Sequence, residues 1–473
     1  MQIPCTVLRT SSIVALVIPH FITISSQGKS KLLFFHIEND ILTNMRIGKA
    51  SQKLIMGFFL LITIGASLLF LPISLKEGIR ISPLDSLFIS ASALCVTGLT
   101  PVDVSATFTI FGRVVLASLI QLGGMGFAII AVFLLILLRQ NVTFSQRNLA
   151  REALNQETGR GIVSLVKFII VITATAEIAG AVSLSIAFAA DGMPVLKAIG
   201  MGAFHSISAF NNAGFDLFGN SLINYNDNIM VNLTISLLII VGGIGFFVLG
   251  DIKRKHKWKK LAFHTKIVLT VTLCLIAIGG ILLKTCDPNL SFMESFFLSV
   301  SARTAGFNSV DMTLLSTPAT CIVILLMFIG ASPGSTGGGI KTTTFFTIIV
   351  AIRHVISNRE ASAFNRRILK DSIIKAFSVM TLFLFSTLIC IFGMAIVEKD
   401  NISFLNIIFE AVSAIGTVGL SRGVTPTLHP ISKVMLISLM FIGRLGPLTV
   451  VSSLSHQQRN PFIHCVEERV IIG

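Results

Sequence analysis

Long and short apolar segments alternate along most of this chain. Eight of the segments are long enough for the roughly 20 residues that a helix needs to cross a membrane. They lie near residues 54–72, 108–138, 163–190, 228–250, 263–283, 318–352, 371–397 and 431–455. This pattern predicts an all-α polytopic membrane protein with eight transmembrane spans.

A shorter apolar segment lies between the two spans of each successive pair. These four segments lie near residues 84–94, 196–209, 290–300 and 403–414. They are too short to cross a membrane, and a helix can end at membrane depth only where protein or water surrounds its end. They therefore predict four re-entrant helices.

Two glycine motifs recur in register with the short segments. The first comes directly after each segment, at Gly98, Gly214, Gly306 and Gly419, and each of these glycines precedes Leu or Phe. The second begins 24 to 28 residues later, at Gly123, Gly242, Gly330 and Gly443. Such constant spacing indicates a fourfold internal repeat. The third repeat is one residue shorter than the others between its short segment and its glycine.

The repeat divides the chain into consecutive units. The first 44 residues form an extension outside the pattern, and Met45 is an alternative start. The predicted units are an extension (1–44), repeat 1 (45–150), repeat 2 (151–260), repeat 3 (261–368), repeat 4 (369–455) and a cytoplasmic tail (456–473).

Composition and charge support a membrane location and give an orientation. Hydrophobic residues make up 53% of the chain and charged residues 12%, whereas about 25% are charged in soluble domains. The net charge of +15 comes from Lys and Arg that concentrate in the connections between pairs of spans, near residues 139–160, 253–266 and 353–375. Because cytoplasmic loops carry the excess of Lys and Arg, both termini are predicted to be cytoplasmic. The excess needs no nucleic-acid partner.

The first glycine motif has the chemistry of an ion filter. An ion that crosses hydrocarbon must exchange its water for fixed oxygen atoms, and backbone carbonyls supply them where glycine allows the necessary conformations. Four such segments around one pore would form rings of carbonyls. The re-entrant helices end beside them, and their C-terminal ends favour a cation. The predicted K⁺ filter residues are Val96, Thr97, Gly98, Asn212, Ala213, Gly214, Thr304, Ala305, Gly306, Thr417, Val418 and Gly419.

These features together resemble the Trk/Ktr/HKT superfamily of cation transporters. The resemblance covers about residues 46–473 and rests on the four glycine motifs, on Gly334–Thr343, on Gly443-Arg444 and on the ending Glu467–Val470. With a single span before the first motif, the chain looks most like the KtrB membrane subunit of the Ktr system. The extension 1–44 is not part of that pattern.

The resemblance implies a function and partners. It implies K⁺ uptake, stimulated by Na⁺, by a homodimer in the inner or plasma membrane. The homodimer would dock on a cytosolic nucleotide-binding ring of the KtrA/TrkA type. K⁺ is then the transported substrate, Na⁺ an activator, and the chain needs no cofactor and is no enzyme.

A long polar interruption in the sixth span predicts a gate. Glycine and proline between Gly330 and Gly339 prevent a regular helix, so this stretch must line an aqueous cavity. Arg444 lies within an apolar span at the equivalent register, where a charge suggests function, with structural pairing as the alternative. The predicted gate, an intramembrane loop over 330–341 plus the arginine, comprises Gly330, Ser332, Pro333, Gly334, Ser335, Thr336, Gly337, Gly338, Gly339, Lys341 and Arg444.

Four other side chains need an explanation. Arg303, in the third filter segment, is predicted to support that segment against Glu410 of the fourth re-entrant helix, with tuning of ion affinity as the alternative. Glu177 lies in the middle of a span and is expected to form hydrogen bonds there, with no partner assigned. His205 is expected to pack within its re-entrant helix rather than to bind a metal.

Other functions fit the sequence less well. The stretch Gly334–Thr342 resembles a phosphate-binding loop, but Ile340 separates Gly339 from Lys341. No HExxH motif or cluster of intramembrane acids supports an enzyme. An inverted-repeat solute symporter would show two inverted halves rather than four repeats of one polarity. Within the resembling superfamily, a Na⁺-permeable transporter or a K⁺/Na⁺ or K⁺/H⁺ symporter is the alternative, and glycine at all four filter positions favours K⁺.

Overall fold

The computed structural model describes residues 50–153, 161–357 and 360–454. The extension 1–44, Met45 and the tail 456–473 lie outside the described residues. The α-helices are α1 (Ala50–Phe70), α2 (Pro83–Leu94), α3 (Val104–Thr107), α4 (Ile110–Met125), α5 (Phe127–Leu137), α6 (Phe144–Ala153), α7 (Ile162–Ala190), α8 (Val195–Phe210), α9 (Ile229–Ile244), α10 (Phe246–Lys255), α11 (Phe263–Cys286), α12 (Phe292–Ser301), α13 (Thr317–Phe328), α14 (Thr342–Ser357), α15 (Lys370–Glu398), α16 (Phe404–Gly416), α17 (Pro430–Leu445) and α18 (Pro447–Leu454).

Smaller elements connect these helices. A two-stranded antiparallel hairpin pairs β1 (Ser362–Ala363) with β2 (Arg366–Arg367). The short 3₁₀ helices are Pro72–Ser74, Ile223–Tyr225, Trp258–Lys260, Lys399–Asn401 and Thr425–Thr427. The regular secondary structure of the described chain is therefore almost entirely helical, as the sequence predicts.

The long helices form an outer layer around the short ones. In α1, α7, α11 and α15 only 22% to 33% of the most apolar stretch is buried, and these helices are long and apolar enough to cross a membrane. In contrast, every residue from Phe88 to Leu94 of α2 and from Phe409 to Gly416 of α16 is buried. Apolar side chains on the outside of a helical protein are suited to contact with lipid rather than with water.

The second span of each predicted pair is broken rather than continuous. Helices α4 and α5 meet at 98°, and α9 and α10 meet at 93°. The described residues thus contain four continuous helices able to cross a membrane, or six when each bent pair is counted as one span. The spans predicted near 108–138, 228–250 and 431–455 each consist of two helices.

Glycine causes these breaks. Gly126, Gly245 and Gly446 lie between the two halves of three broken spans and have φ of 86°, 100° and 85°. Only glycine adopts this conformation without steric cost, and it ends a right-handed helix. In the predicted third repeat the break is longer, because residues 329–341 separate α13 from α14.

The first three short helices are fixed to the preceding long helix by the same contact. A serine hydroxyl donates to a backbone carbonyl of the long helix: Ser90 to Ile62 at 2.7 Å, Ser206 to Glu177 at 2.7 Å and Ser299 to Ile276 at 2.9 Å. In each case the residue three positions after the acceptor is a glycine that contacts the serine, namely Gly65, Gly180 and Gly279. The fourth short helix has Ala411 at the corresponding position.

Polar contacts at the ends of the helices fix the outer loops. Glu398 and Asp287, which are both buried, accept hydrogen bonds from the backbone N–H groups of His429 (2.9 Å) and Ser316 (3.0 Å), the residues that cap α17 and α13. The Lys433 ammonium pairs with Asp85 at 2.8 Å and joins α17 to the first turn of α2. This ion pair connects the end of the described chain to its beginning.

The serine–glycine contact predicts a local stability difference. A Cβ on Gly180 would lie 2.5 Å from Ser206 Oγ and 2.6 Å from Leu238 Cδ1, whereas a Cβ on Gly200 meets nothing within 4 Å. We expect Gly180→Ala to lower the thermal stability of the detergent-solubilised protein by about 1–3 kcal/mol, because overpacking separates the helices. Gly200→Ala is the matched control and should match or exceed the parent, since alanine favours a helix. Equal melting temperatures for both variants would contradict the contact.

Candidate functional site

Each of the four short helices leads into a segment with the same unusual backbone. We call residues 96–98, 212–214, 304–306 and 417–419 the glycine segments. In all four, the first residue and the glycine have positive φ: 57° and 99°, 57° and 67°, 75° and 79°, and 50° and 95°. In an ordinary strand successive carbonyls point to opposite sides. Reversing the sign of φ at alternate residues instead turns them toward the same side.

Hydrogen bonds anchor the glycine segments to their helices in a common way. The residue before the glycine donates its N–H to a serine carbonyl: Thr97 to Ser92, Ala213 to Ser208, Ala305 to Ser301 and Val418 to Ser413, at 2.8–2.9 Å. This bond spans five residues except in the third segment, where it spans four. The single-residue shortening visible in the sequence is therefore absorbed at the end of α12.

The four glycines form a closed ring. A Cβ on Gly98 would lie 2.5 Å from Ala213 O, and one on Gly214 would lie 2.6 Å from Ala305 O. The ring continues from Gly306 to Val418 O, and it closes from Gly419 to Thr97 O. Each segment thus packs against the next one in chain order and the last packs against the first. Side chains at these positions would separate the segments.

The second glycine motif allows the broken helices to approach the short ones. Positions Gly123, Gly242 and Gly443 lie directly against the carbonyl oxygens of Leu94, Phe210 and Ile415, respectively. Each of these oxygens belongs to the residue four positions before the ring glycine. The two motifs recur at constant spacing because they meet in space.

Residues 329–341 form a folded loop, which we call the Gly-rich loop. Its two ends pair with each other, because Gly330 N–H donates to Ile340 O at 2.8 Å and Ala331 N–H donates to Gly338 O at 3.3 Å. Ser332 and Thr336 are completely buried. The break that the sequence predicts in this span is therefore an ordered turn inside the protein.

The Gly-rich loop is bonded to the predicted second repeat. Ser332 and Thr336 donate their N–H groups to Gly243 O (3.0 Å) and Gly242 O (3.3 Å), and Phe246 N–H donates to Gly334 O at 2.9 Å. Because the helix breaks between α9 and α10, the carbonyls of Gly242 and Gly243 and the N–H of Phe246 are available to the loop. The loop and the broken helix thus satisfy each other's hydrogen bonds, as a non-aqueous surrounding demands.

Two half-buried cations contact the loop. The Arg444 guanidinium donates to the carbonyls of Thr336, Gly123 and Gly124. It therefore joins the loop to the end of α4. The Lys341 ammonium donates to Gly337 O at 2.8 Å, within the loop itself. Neither cation forms an ion pair among the described residues, and the acceptors of their hydrogen bonds are backbone carbonyls.

The predicted contact between Arg303 and Glu410 is wrong. The Arg303 guanidinium lies toward Thr272 O of α11 at 3.5 Å. Glu410 accepts hydrogen bonds from Ser421 Oγ and from Thr425 Oγ1 (3.1 Å) instead. The two side chains support different segments, because each finds hydroxyl or carbonyl partners closer to its own helix.

Two residues that the sequence left without partners have them. Glu177 accepts hydrogen bonds from the amides of Gln121 at 3.2 Å and Asn211 at 3.0 Å. His205 uses both ring nitrogens, with Met201 O at 2.8 Å and Leu217 N–H at 3.3 Å, and stacks on Phe218. The histidine therefore packs within the protein, as expected.

An acidic pocket lies beside the glycine ring on the side of the outer loops. It has a volume of about 50 Å³ and is lined by Gly98, Gly214, Asp103 and Asp216, among others. Sequence reasoning did not bring these two acids together, because they are far apart in the chain. Among the described residues no group of His, Cys, Asp and Glu is arranged to hold a metal ion.

The chain is similar in sequence to known cation transport proteins. The family model of TrkH, a cation transport protein, matches residues 15–462. The Ktr system potassium uptake protein B of Bacillus subtilis is 41% identical over 421 residues, which cover 86% of this chain and 94% of that protein. The potassium/sodium uptake protein NtpJ of Enterococcus hirae is 37% identical, covering 85% and 92%.

A solved structure has the same fold. The crystal structure of the potassium transporter TrkH from Vibrio parahaemolyticus superposes with a TM-score of 0.69, at 19% identity, over 94% of this chain and 95% of that one. These matches confirm the predicted resemblance, and relatives that are ion transporters confirm that the chain is no enzyme. The family match begins at residue 15, so the prediction that the family pattern starts only near residue 46 is wrong.

Proposed function

The chain belongs to the TrkH family of cation transport proteins, and from this membership and the glycine ring we propose that it carries K⁺ into the cell. In this proposal the four predicted repeats surround one pore, their eight spans cross the inner or plasma membrane, and both termini are cytoplasmic. The carbonyl oxygens of the glycine segments take the place of the water around K⁺.

The cyclic packing of the four glycines is the observation that supports this function. A transported ion must find oxygen atoms on all sides at once, and a ring built from four backbone segments provides that arrangement. The four short helices end at the ring, so their partial negative charges favour a cation. Arg303, the residue just before the third glycine segment, directs its guanidinium to Thr272 O of α11.

We infer that the Gly-rich loop is the gate. It is held against the glycine segments by contacts to three predicted repeats, and Arg444 fixes it to a fourth. A half-buried positive charge beside the pathway opposes the passage of K⁺. Opening then requires the loop and Arg444 to separate.

The remaining parts of the proposal concern assembly and regulation. We propose a homodimer that docks through its basic cytoplasmic connections on a cytosolic nucleotide-binding ring of the KtrA/TrkA type. The name of the Bacillus relative, a Ktr system protein, supports a system of several components. We also propose that Na⁺ stimulates the uptake of K⁺.

A Na⁺-permeable transporter is the second candidate. The name of the Enterococcus relative, a potassium/sodium uptake protein, favours it. Glycine at all four ring positions supports K⁺ as the preferred ion, because no side chain alters the shape of the ring. The first experiment below distinguishes the two.

Replacement of a ring glycine should reduce selectivity. We expect Gly98→Ser to lower the preference for K⁺ over Na⁺ by roughly tenfold, or about 1.4 kcal/mol, because the new Cβ would press on Ala213 O at 2.5 Å. Competitive ⁸⁶Rb⁺ uptake into proteoliposomes measures this preference. Gly78→Ser is the matched control, since Gly78 also has positive φ (78°) but has nothing within 4 Å of its Cβ position. Unchanged selectivity in both Gly98→Ser and Gly214→Ser would contradict the carbonyl ring.

Removal of the loop should open the pathway. We expect deletion of residues 332–338 to raise K⁺ flux and weaken its dependence on the regulatory ring. The deletion joins Ala331 to Gly339, and these ends are already adjacent because Ala331 N–H bonds Gly338 O. Arg444→Ala should act in the same direction, measured as ⁸⁶Rb⁺ flux with and without the ring.

The control for the arginine is Arg113→Ala. Arg113 also donates to a backbone carbonyl, that of Ser105 at 2.9 Å, but at the start of α4 and away from the Gly-rich loop. A deletion protein that is folded in the membrane, yet has the flux and regulation of the parent, would show that the loop is not the gate.

A further inference from the structure

The first residue of each glycine segment has a strained backbone. Val96, Asn212, Thr304 and Thr417 all have positive φ. Asparagine tolerates this conformation, but a β-branched residue adopts it only where the surrounding structure forces it. The positive φ that turns the carbonyls of the segments also sets the direction of the side chain at this position, and three of the four segments adopt it with a β-branched residue.

Three of these four side chains are polar, completely buried and directed at the Gly-rich loop. Thr417 Oγ1 accepts the N–H of Gly338 at 3.0 Å. The single hydroxyl hydrogen of Thr336 faces two acceptors, Phe210 O at 3.1 Å and Asn212 Oδ1 at 3.4 Å. Asn212 Nδ2 donates to Thr304 Oγ1 at 3.1 Å. A Cβ on Gly337 would touch Thr304 Oγ1, so the loop also packs on that hydroxyl.

The first glycine segment has no such side-chain contact with the Gly-rich loop, and Arg444 connects the loop to the first repeat instead. Val96 has no polar atom in its side chain. On that side Arg444 links Thr336 O of the loop to Gly123 O and Gly124 O of α4. The loop is thus fixed toward all four predicted repeats, in three cases through the glycine segments and in one through the arginine.

We propose that Asn212, Thr304 and Thr417 are positioning residues that hold the Gly-rich loop closed, and so couple the glycine segments to the gate. The proposal rests on the proposed function of the loop. The loop cannot move without breaking the hydrogen bonds to Thr417 and Asn212. These residues also begin the segments that would bind K⁺. Movement of the loop therefore changes the conformation of the segments, and the conformation of the segments in turn shifts the closed–open equilibrium of the loop.

The test removes single hydroxyl groups. Thr417→Val keeps the β-branched shape but loses the acceptor for Gly338 N–H. Thr336→Val removes, from the loop side, the donor that Asn212 Oδ1 shares with Phe210 O. We expect each variant to raise basal ⁸⁶Rb⁺ flux of the protein in proteoliposomes about five-fold, the shift in a closed–open equilibrium that loss of one buried hydrogen bond brings. Thr387→Val, which removes a buried hydroxyl bonded to Phe383 O within α15, should match the parent.

A second background separates an effect through the loop from a direct effect on the ion pathway. In the protein lacking residues 332–338, Thr417→Val should cause no further change, because its loop partner is gone. An equal change in both backgrounds, or unchanged or lowered flux in the intact loop for both threonine variants, would overturn the proposal. If the deletion alone leaves flux unchanged, the proposed gate is refuted. This result differs from one that refutes only the role of Asn212, Thr304 and Thr417.

Discussion

The structure depends on the close approach of four backbone segments at one point. Each ring glycine lies where a side chain would strike the carbonyl group of the next segment, from Gly98 round to Gly419. Hydrocarbon offers an ion no oxygen atoms, so the protein must bring its own from all sides. The short helices, the serine anchors and the second glycine motif all serve to hold these four segments together at the required distance.

The same constraint accounts for the broken helices and for the position of Arg444. A helix that ends inside a membrane leaves backbone groups without partners, and each one costs several kcal/mol in hydrocarbon. Here the breaks at Gly126 and Gly245 lie beside the Gly-rich loop and Arg444, which take up the free carbonyls of Gly124 and Gly243. The Gly-rich loop and Arg444 therefore supply hydrogen-bond partners for the broken helices, in addition to forming the candidate gate.

Periodic features of this chain could be predicted from its sequence, and contacts distant in the chain could not. Hydrophobic length locates the long and short helices, and the spacing of Gly98, Gly214, Gly306 and Gly419 locates the segments that meet. The sequence does not reveal that Glu177 bonds Gln121 and Asn211, because these residues are far apart in the chain. It pairs Arg303 with Glu410 by charge, whereas hydroxyl and carbonyl partners decide both positions. The bends at Gly126 and Gly245 were missed because apolar composition continues through them.

The central claim is that a permeating cation occupies the ring of glycine segments. A structure determined with Tl⁺ or Rb⁺ in place of K⁺, and with anomalous scattering recorded, tests it most directly. The claim predicts anomalous density on the axis between Gly98, Gly214, Gly306 and Gly419, and weaker density there when Na⁺ replaces most of the Rb⁺. A well-ordered ring without density at saturating Tl⁺, or density only elsewhere in the protein, would contradict it.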